Sequence, residues 1–442
     1  MARVALIGEN SVYFIEKLLK IWNNGDCAVL IDWRVPPKTA VEMMKESGVV
    51  ECWIEQRMLV DYLECETSGI KVKSYCSSNV TENVPRRIHN MFKNNYSDSE
   101  AVIIFSSGTT GKSKGIILSH YAINKNADAI IDYISPVTHD SLYIIKSLSH
   151  SSTLTGELLM ALKANIRILV SPTVVPPRYI LNNIVKYGIS IICVNPLLLK
   201  LYANEYNRHK YDIKTLKAIY VSGSILDNDT YEYSKRTFRN ISIYNVYGLS
   251  EAGPRVTAQR KECCSGNSVG KPILNVEIKI LSNDGIILKK GERGIVHVHT
   301  PCIYSGYIKG TSKHESLYNG WLNTGDIGYV DDNDELHIVN RIDDVIIINS
   351  HKVYPSDIEQ LLKSVFSFEE CKLFKIGKGV SSYIGCLYTG VEYNEIDIFR
   401  KLKKHLPLYE VPKKFIHVQN IPCNNNGKIS TKDALKCFED RV

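Results

Sequence analysis

Ser106-Ser-Gly-Thr-Thr-Gly-Lys-Ser-Lys-Gly115 is the stretch on which the reading of this 442-residue chain turns. An apolar run, Val102–Phe105, reads as a buried strand before it, and a helical pattern, Ser119 to Ile134, follows. Apart from its two lysines, Ser106–Gly115 is small or hydroxylated and includes three glycines, so backbone N–H groups can converge on an anion while hydroxyls, Lys112 and Lys114 add donors and positive charge. A Walker A loop would need a glycine five residues before Gly111, and Ser106 stands there. The loop is therefore either a phosphate cradle of another kind or a Gly/Ser/Thr surface loop, and taken alone it does not choose.

Working outward, an apolar content of 44% and a charged content of 23% describe an ordinary soluble chain with room for a large core. Its length suggests roughly three domains, or one large domain with a smaller one. A net charge of +7 suits a polyanionic small molecule such as a nucleotide and is too diffuse for nucleic acid; Lys401-Leu-Lys-Lys404 and Lys413-Lys414 read as solvated faces. The 12 cysteines include no C-x-x-C pair, Cys263-Cys264 being adjacent, and read as reduced thiols. With no hydrophobic run of membrane-spanning length, and Met1 leading through Arg3 into the strand-like Val4–Ile7 with no signal peptide, the expectation is a cytoplasmic protein with neither a membrane nor a nucleic-acid partner.

Strand-like runs at Val4–Ile7, Cys27–Ile31, Tyr143–Ile145, Ile166–Val170, Ile189–Val194, Ala218–Val221 and Ile241–Val246 alternate with helical patterns. These lie at Ser11–Asn23, Lys38–Ser47, Thr155–Lys163, Arg178–Tyr187, Leu197–Tyr206 and Thr230–Phe238. The rhythm predicts an α/β fold, with parallel sheets layered with helices. Ser77–Ser99 reads as a looser polar segment. From about Val269, alternation in Val276–Leu281, Gly294–Thr300 and Glu335–Val339, with turns at Asn283-Asp-Gly285 and Asp331-Asp-Asn-Asp334, predicts a small antiparallel β unit. Beyond Arg341, a helix opening on a Ser356/Glu359 capping box and another over Glu395–Leu406 predict a small α+β domain ending in the polar turn Asn424–Lys428.

Four further stretches carry polar residues that packing alone would not demand. Tyr244-Asn-Val-Tyr-Gly-Leu-Ser-Glu-Ala-Gly253 sets an aromatic ring, glycines and a carboxylate at the end of a strand, where α/β sheets bind ligands. Thr324-Gly-Asp326 places a carboxylate in a glycine turn, Arg341-Ile-Asp-Asp344 stands where the texture changes, and Gly427-Lys428 closes the series. Singly these read as a turn, a surface salt-bridge cluster and a solvated lysine.

In this order and spacing the motifs, with Leu30-Ile-Asp-Trp-Arg-Val-Pro36 and Lys352-Val-Tyr-Pro355, make the chain resemble the adenylate-forming superfamily of acyl- and aryl-CoA synthetases, non-ribosomal peptide adenylation domains and luciferases. The resemblance covers nearly the whole chain and implies a domain of residues 1–340 that binds ATP and acid, a hinge at 341–344 and a mobile lid at 345–442. It implies that Ser106, Ser107, Gly108, Thr109, Thr110, Gly111, Lys112 and Lys114 hold the β- and γ-phosphates of ATP. Gly223, Ser224, Tyr247, Gly248 and Ser250 would complete the nucleotide site, Asp326 and Arg341 would meet the ribose, and Glu251 would coordinate Mg²⁺. Asp343 falls at the hinge, and Lys428 would reach the carboxylate and α-phosphate during adenylation. The implied activity is conversion of a carboxylic acid to an acyl- or aryl-adenylate with pyrophosphate release, then transfer to CoA or to a phosphopantetheinylated carrier protein.

The chain is short for the family, resembling its compact acyl- and aryl-acid AMP ligases, since Val4–Asn10 matches a segment that normally lies well inside. Ser113 replaces a usual proline, Asn340 a usual glycine, and Ser350 a glycine facing the thiol's tunnel, which favours a carrier-protein arm over CoA. His150 matches the gate position. Ser152 stands where amino-acid-activating relatives carry aspartate, and Cys193, Tyr220, Ser222, Val246 and Pro254 would line the acid pocket, with Arg255 near the rim. That lining suits a hydroxylated aryl acid or a short acyl chain. Two other readings stay open: an adenylation enzyme for an amino acid whose amine is recognised elsewhere, and a nucleotide-binding regulator without turnover.

Overall fold

Apolar and β-branched residues recur in short runs bounded by polar turns, and in the computed structural model these runs assemble into two large sheets. The structure describes residues 1–62, 69–78, 80–106, 114–260, 268–308, 317–348, 351–377, 382–423 and 429–439; at Ser106, Asp343, Ile347, His351 and Lys352 it describes the backbone alone. Two compact units divide the chain: Met1–Glu292 with Val296–Thr324 and Val330–His337, and Arg293–Ile295 with Gly325–Tyr329 and Ile338–Val442.

In the first unit, a seven-stranded sheet has a parallel core of Lys71–Tyr75, Glu51–Glu55, Arg3–Gly8, Cys27–Asp32 and Glu100–Ser106, in that spatial order. Lys114–Ser119 and then Gly306–Tyr307 extend it antiparallel. An eight-stranded sheet has a parallel core of Ser242–Gly248, Ala218–Val221, Ile191–Val194, Ser141–Ile144 and Arg167–Val170, flanked antiparallel by Arg255–Ala258 and Lys271–Pro272 on one side and by Glu82–Asn83 on the other. Parallel strands covered by helices are buried on both faces, which is why these runs are continuously apolar: Ala5, Leu6 and Ile7 are all fully buried. Helix His120–Ile134 touches Glu100–Ser106 and Lys114–Ser119 of one sheet and Arg255–Ala258 of the other, so it lies between them. Its start is fixed by Ser119, whose hydroxyl accepts from the Ala122 N–H at 3.1 Å.

Several expectations are corrected. Lys114 and Gly115, read as loop, begin the strand Lys114–Ser119. The helix expected over Thr155–Lys163 is a π-turn, Leu154–Leu159, followed by a short helix, Met160–Lys163. Ser77–Ser99 holds the strand Glu82–Asn83 and the helical turn Arg86–His89. The helix from Glu395 ends at Leu402, short of Leu406. The capping box does not form: helix Pro355–Val365 starts without a side-chain cap, and the Glu359 carboxylate instead accepts from Lys372 Nζ at 2.5 Å and from the Leu373 N–H at 3.0 Å.

In the second unit, Phe368–Ile376, Tyr383–Gly390 and Lys414–His417 form a sheet whose side chains alternate between two cores. Leu373, Cys386, Tyr388 and Phe415 face Ile358, Leu362 and Ile398, while Phe374, Leu387 and Ile416 face Ala434 and Phe438 of helix Thr431–Glu439. A side chain at Gly385 would sit 2.5 Å from the Phe438 ring, so glycine there is what lets that helix dock.

Candidate active site

The carboxyl ends of the parallel strands in the eight-stranded sheet gather most of the expected residues of the first unit. Cys193 and Tyr220 are register partners on adjacent strands, Tyr220 stacks on Tyr244 at 5.1 Å, and Val246 lies two residues beyond Tyr244 on the same strand. Cys193, Tyr220, Ser222, Val246 and Pro254 are all buried, and Ser152 is half-buried. Gly223 and Ser224 stand exposed just past the end of Ala218–Val221, Gly223 with a φ of 101° that favours glycine. Tyr247 ends the neighbouring strand, and at Gly248 a Cβ would lie 2.0 Å from the Pro254 carbonyl oxygen, so only glycine lets the chain fold back on itself here.

The 3-10 turn Ser250–Ala252 presents Glu251. The Tyr307 hydroxyl donates to Glu251 Oε1 at 2.9 Å, the Tyr304 N–H donates to the Glu251 carbonyl at 2.9 Å, and Lys114 Nζ lies 5.5 Å from the centre of the Tyr307 ring. Burial first, and then the Glu251 charge, hold the Tyr307 phenol well above its ordinary range, so it remains a donor. Lys114, where the expected phosphate loop ends, and Glu251 thus share one tyrosine. Ser250 Oγ lies 2.7 Å from Ser151 Oγ, joining this turn to the segment after His150.

Two buried amides hold the frame, and the sequence reading missed both. Asn126 accepts from the Arg255 N–H at 2.9 Å and donates to the Arg255 carbonyl at 2.8 Å; Asn10 donates to the Lys146 carbonyl at 2.7 Å and accepts from the Leu148 N–H at 2.9 Å. Neither carries a sequence signal of its own, since each stands among other polar residues, in Asn124-Lys-Asn-Ala-Asp128 and Gly8-Glu-Asn-Ser11. His150 Nε2 stands 3.8 Å from Asp32 Oδ2. Burial alone would raise Asp32, but the Arg34 guanidinium, bonded to both its oxygens at 2.8 Å, outweighs burial and holds it below the ordinary carboxylate range.

The acid side differs from its expected form. Arg255, expected near the rim, is 4% exposed. Glu157 is fully buried in the π-turn, with Lys146 Nζ at 3.1 Å from its Oε1 and 3.3 Å from Ser222 Oγ. Burial pushes Glu157 up to about 7 against the pull of Lys146. Burial likewise pushes the Cys193 thiol up to about 12, helped by the Glu157 charge.

Within the second unit, Arg341 Nη1 lies 3.0 Å from Oδ1 of the buried Asp326, and a Cβ at Gly325 would be 3.1 Å from Arg341 Nη2. The backbone of Asp343 lies in the 3-10 turn Ile342–Asp344. Ser107, Gly108, Thr109, Thr110, Gly111, Lys112, Ser113, Ser350, Lys428 and Cys263-Cys264 lie outside the described residues, as do the side chains of Ser106 and Asp343. Among the described residues the nine cysteines from Cys27 to Cys437 form no disulfide, and no helix is long and apolar enough to cross a membrane.

The profile of the family described as AMP-binding enzyme matches residues 1–308. The chain is 25% identical over 445 residues to the 2-succinylbenzoate–CoA ligase of Bacillus mycoides strain KBAB4, covering 99% of this chain and 89% of that protein. It is 26% identical over 346 residues to the 4-coumarate–CoA ligase 2 of Narcissus pseudonarcissus, covering 74% of this chain and 61% of the length of that relative. The fold matches the o-succinylbenzoate CoA synthetase (MenE) from Bacillus subtilis in complex with ATP and magnesium ion, with a TM-score of 0.82 at 20% identity, over 98% of this chain and 89% of that one.

Proposed function

The chain belongs to the AMP-binding enzyme family, and from that premise we propose that it is an AMP-forming ligase that activates a carboxylic acid with ATP and passes the acyl group to the thiol of CoA. The observation that carries the reading is the pairing of Glu251 with Lys114 through Tyr307: a carboxylate and an ammonium held on one ring beside a strand end.

A carboxylate is a poor electrophile because its leaving group would be oxide. Its oxygen attacks the α-phosphorus of ATP, pyrophosphate leaves, and the acid becomes a mixed anhydride with AMP. The thiol sulfur then attacks the acyl carbon, the C–O bond to AMP breaks, and a thioester forms. The protein's work is alignment and charge neutralisation. Residues Ser106–Lys112 and Lys114 cradle the phosphates; Tyr247, Gly223, Ser224, Gly248 and Ser250 form the adenine side; Asp326, steadied by Arg341, takes the ribose hydroxyls. Lys428 meets the carboxylate and α-phosphate, Asp343 is the pivot of the lid, and His150 guards the acid's entry. The donor chemistry at Glu251 fits magnesium, since it is a hard carboxylate with one oxygen already oriented by Tyr307. When bound, Mg²⁺ offsets the charge repulsion between phosphate and carboxylate. A carrier-protein thiol is the alternative acceptor, favoured by Ser350 standing where relatives have glycine.

Acid-dependent ATP–pyrophosphate exchange tests this reading. Exchange driven by one class of acid and abolished in Lys428→Ala is the expected result. Retained ATP binding with no exchange across aryl, acyl and amino acids would favour a binder without turnover. CoA and a phosphopantetheinylated carrier protein offered to the active enzyme would then separate the two acceptors.

A further inference from the structure

The interior around Glu157 holds more positive charge than negative. Arg255 is 4% exposed, and Asn126 grips its backbone from both sides, so its side chain is committed to that interior. Gly156 of the π-turn makes room for it: a Cβ there would lie 2.9 Å from Arg255 Nη2. Arg255 Nε is buried, and among the described residues the guanidinium makes neither a hydrogen bond nor an ion pair. The carboxylate that shares the space, Glu157, already has Lys146 at 3.1 Å. Tyr133 and Cys193 supply no further negative charge, because burial pushes each up to about 12, and the Tyr133 hydroxyl is itself buried without a partner among the described residues.

A guanidinium cannot shed its proton, and burying one without an acceptor is costly enough that folds keep it only when something else brings the acceptor. Arg255 follows Pro254 and is the register partner of Gly248, in the wall where the acid is expected, and the π-turn beneath it is the kind of helix defect that gathers at functional sites. We propose that Arg255 is the anion-binding residue of the acid subsite, and that the substrate is a dicarboxylic acid whose second carboxylate pairs with its guanidinium while the first is activated. This rests on the acid-activation reading above. The flanking Tyr133 and Tyr220 rings, with centroids 6.0 Å apart, suit a short aliphatic or aryl spacer between the two carboxylates.

The test compares succinate, glutarate and homophthalate with their monomethyl esters. Pyrophosphate exchange is measured alongside calorimetric titration of each acid into protein holding a non-hydrolysable ATP analogue, for wild type, Arg255→Met and Arg255→Lys. In the wild type at least one diacid is expected to exceed its ester by about 100-fold, the order of discrimination that an unpaired buried polar group imposes. Arg255→Met should bring the two within a few-fold, with Arg255→Lys between. Esters that match or exceed their diacids in the wild type overturn the dicarboxylate assignment and leave acid activation standing; that comparison holds even if a variant fails to fold. Diacid binding that is lost in Arg255→Met, without exchange from any acid, supports the subsite and removes the ligase reading. Absence of diacid binding overturns the subsite, whatever other acids are activated.

Discussion

The turn from Ser250 to Arg255 carries a carboxylate at one end and a guanidinium at the other, and the fold treats the two in opposite ways. Glu251 is half-buried, receives a hydrogen bond from Tyr307, and keeps lone pairs for a ligand. Arg255 is sunk among Glu157, Tyr133 and Cys193 with no acceptor of its own among the described residues. The Glu251 end is prepared in advance and open, as suits the nucleotide of the proposed function. The Arg255 end is closed and short of negative charge, so on the proposed reading its recognition is completed by what enters.

That contrast can be broken most forcefully at Lys146. Removing it strands a fully buried carboxylate, and Lys146→Met is expected to lose about 3 kcal/mol or more of stability in urea unfolding at pH 8. The sign with pH is fixed by Glu157. Its folded-state pKa is raised to about 7 from an ordinary 4.5, chiefly by burial, so the folded protein binds the extra proton and stability falls as pH rises through that window. The urea midpoint of the wild type should therefore decline relative to Glu157→Gln between pH 4.5 and 7 and run parallel above it. Lys146→Met should lose less at pH 5 than at pH 8, and the double variant with Glu157→Gln should recover most of the loss. A pH-independent loss in Lys146→Met would mean that Glu157 is not the group left stranded.

At the open end the expected effect falls on rate. Glu251→Gln should lower pyrophosphate exchange by about 100-fold, because a metal-held charge is worth several kcal/mol in such a step, while the urea midpoint stays where it was. Asn126→Ala strikes both ends together, since that amide bonds Ala252 and Arg255, and should cost about 1–3 kcal/mol by leaving the Arg255 N–H and carbonyl unpaired. A stability loss in Asn126→Ala, with the midpoint of Glu251→Gln unaltered, would confirm that the amide holds the frame of the turn while the Glu251 carboxylate is kept for chemistry.

How much the sequence disclosed follows the same division. The strand end at Tyr247–Glu251 was legible because its residues sit side by side, where composition is local, while most of Ser106–Gly115 lies outside the described residues. The parallel strands were legible because burial on both faces leaves continuous apolar runs, as in Ile191–Val194. The Arg255 end was not. Glu157 stood in a stretch that reads as an ordinary amphipathic helix, and only the π-turn directs it inward. Arg255 could be set in the acid pocket by resemblance, but its depth depends on Asn126, far back in the chain. The capping box failed for a similar reason: Glu359 is claimed by Lys372 and Leu373 on a strand that the sequence reading had not recognised.

The smallest expected effect tests whether the open end is open by design. Tyr307 lies in Tyr304-Ser-Gly-Tyr307, a stretch without a motif, and reaches Glu251 only because Gly306–Tyr307 pairs with Ile116 and Ile117, just beyond Lys114. Its hydroxyl orients the Glu251 carboxylate without consuming it, so Tyr307→Phe should leave the fold intact, the ring packing on Tyr304 being retained. Losing one hydrogen bond to a charged group predicts an exchange rate lower by about tenfold, with magnesium dependence shifted to higher concentration. A rate loss without that shift would make Tyr307 a packing residue and leave Glu251 to orient itself. The shift without a rate loss would mean that the tyrosine positions the metal's ligand but not the reacting phosphate.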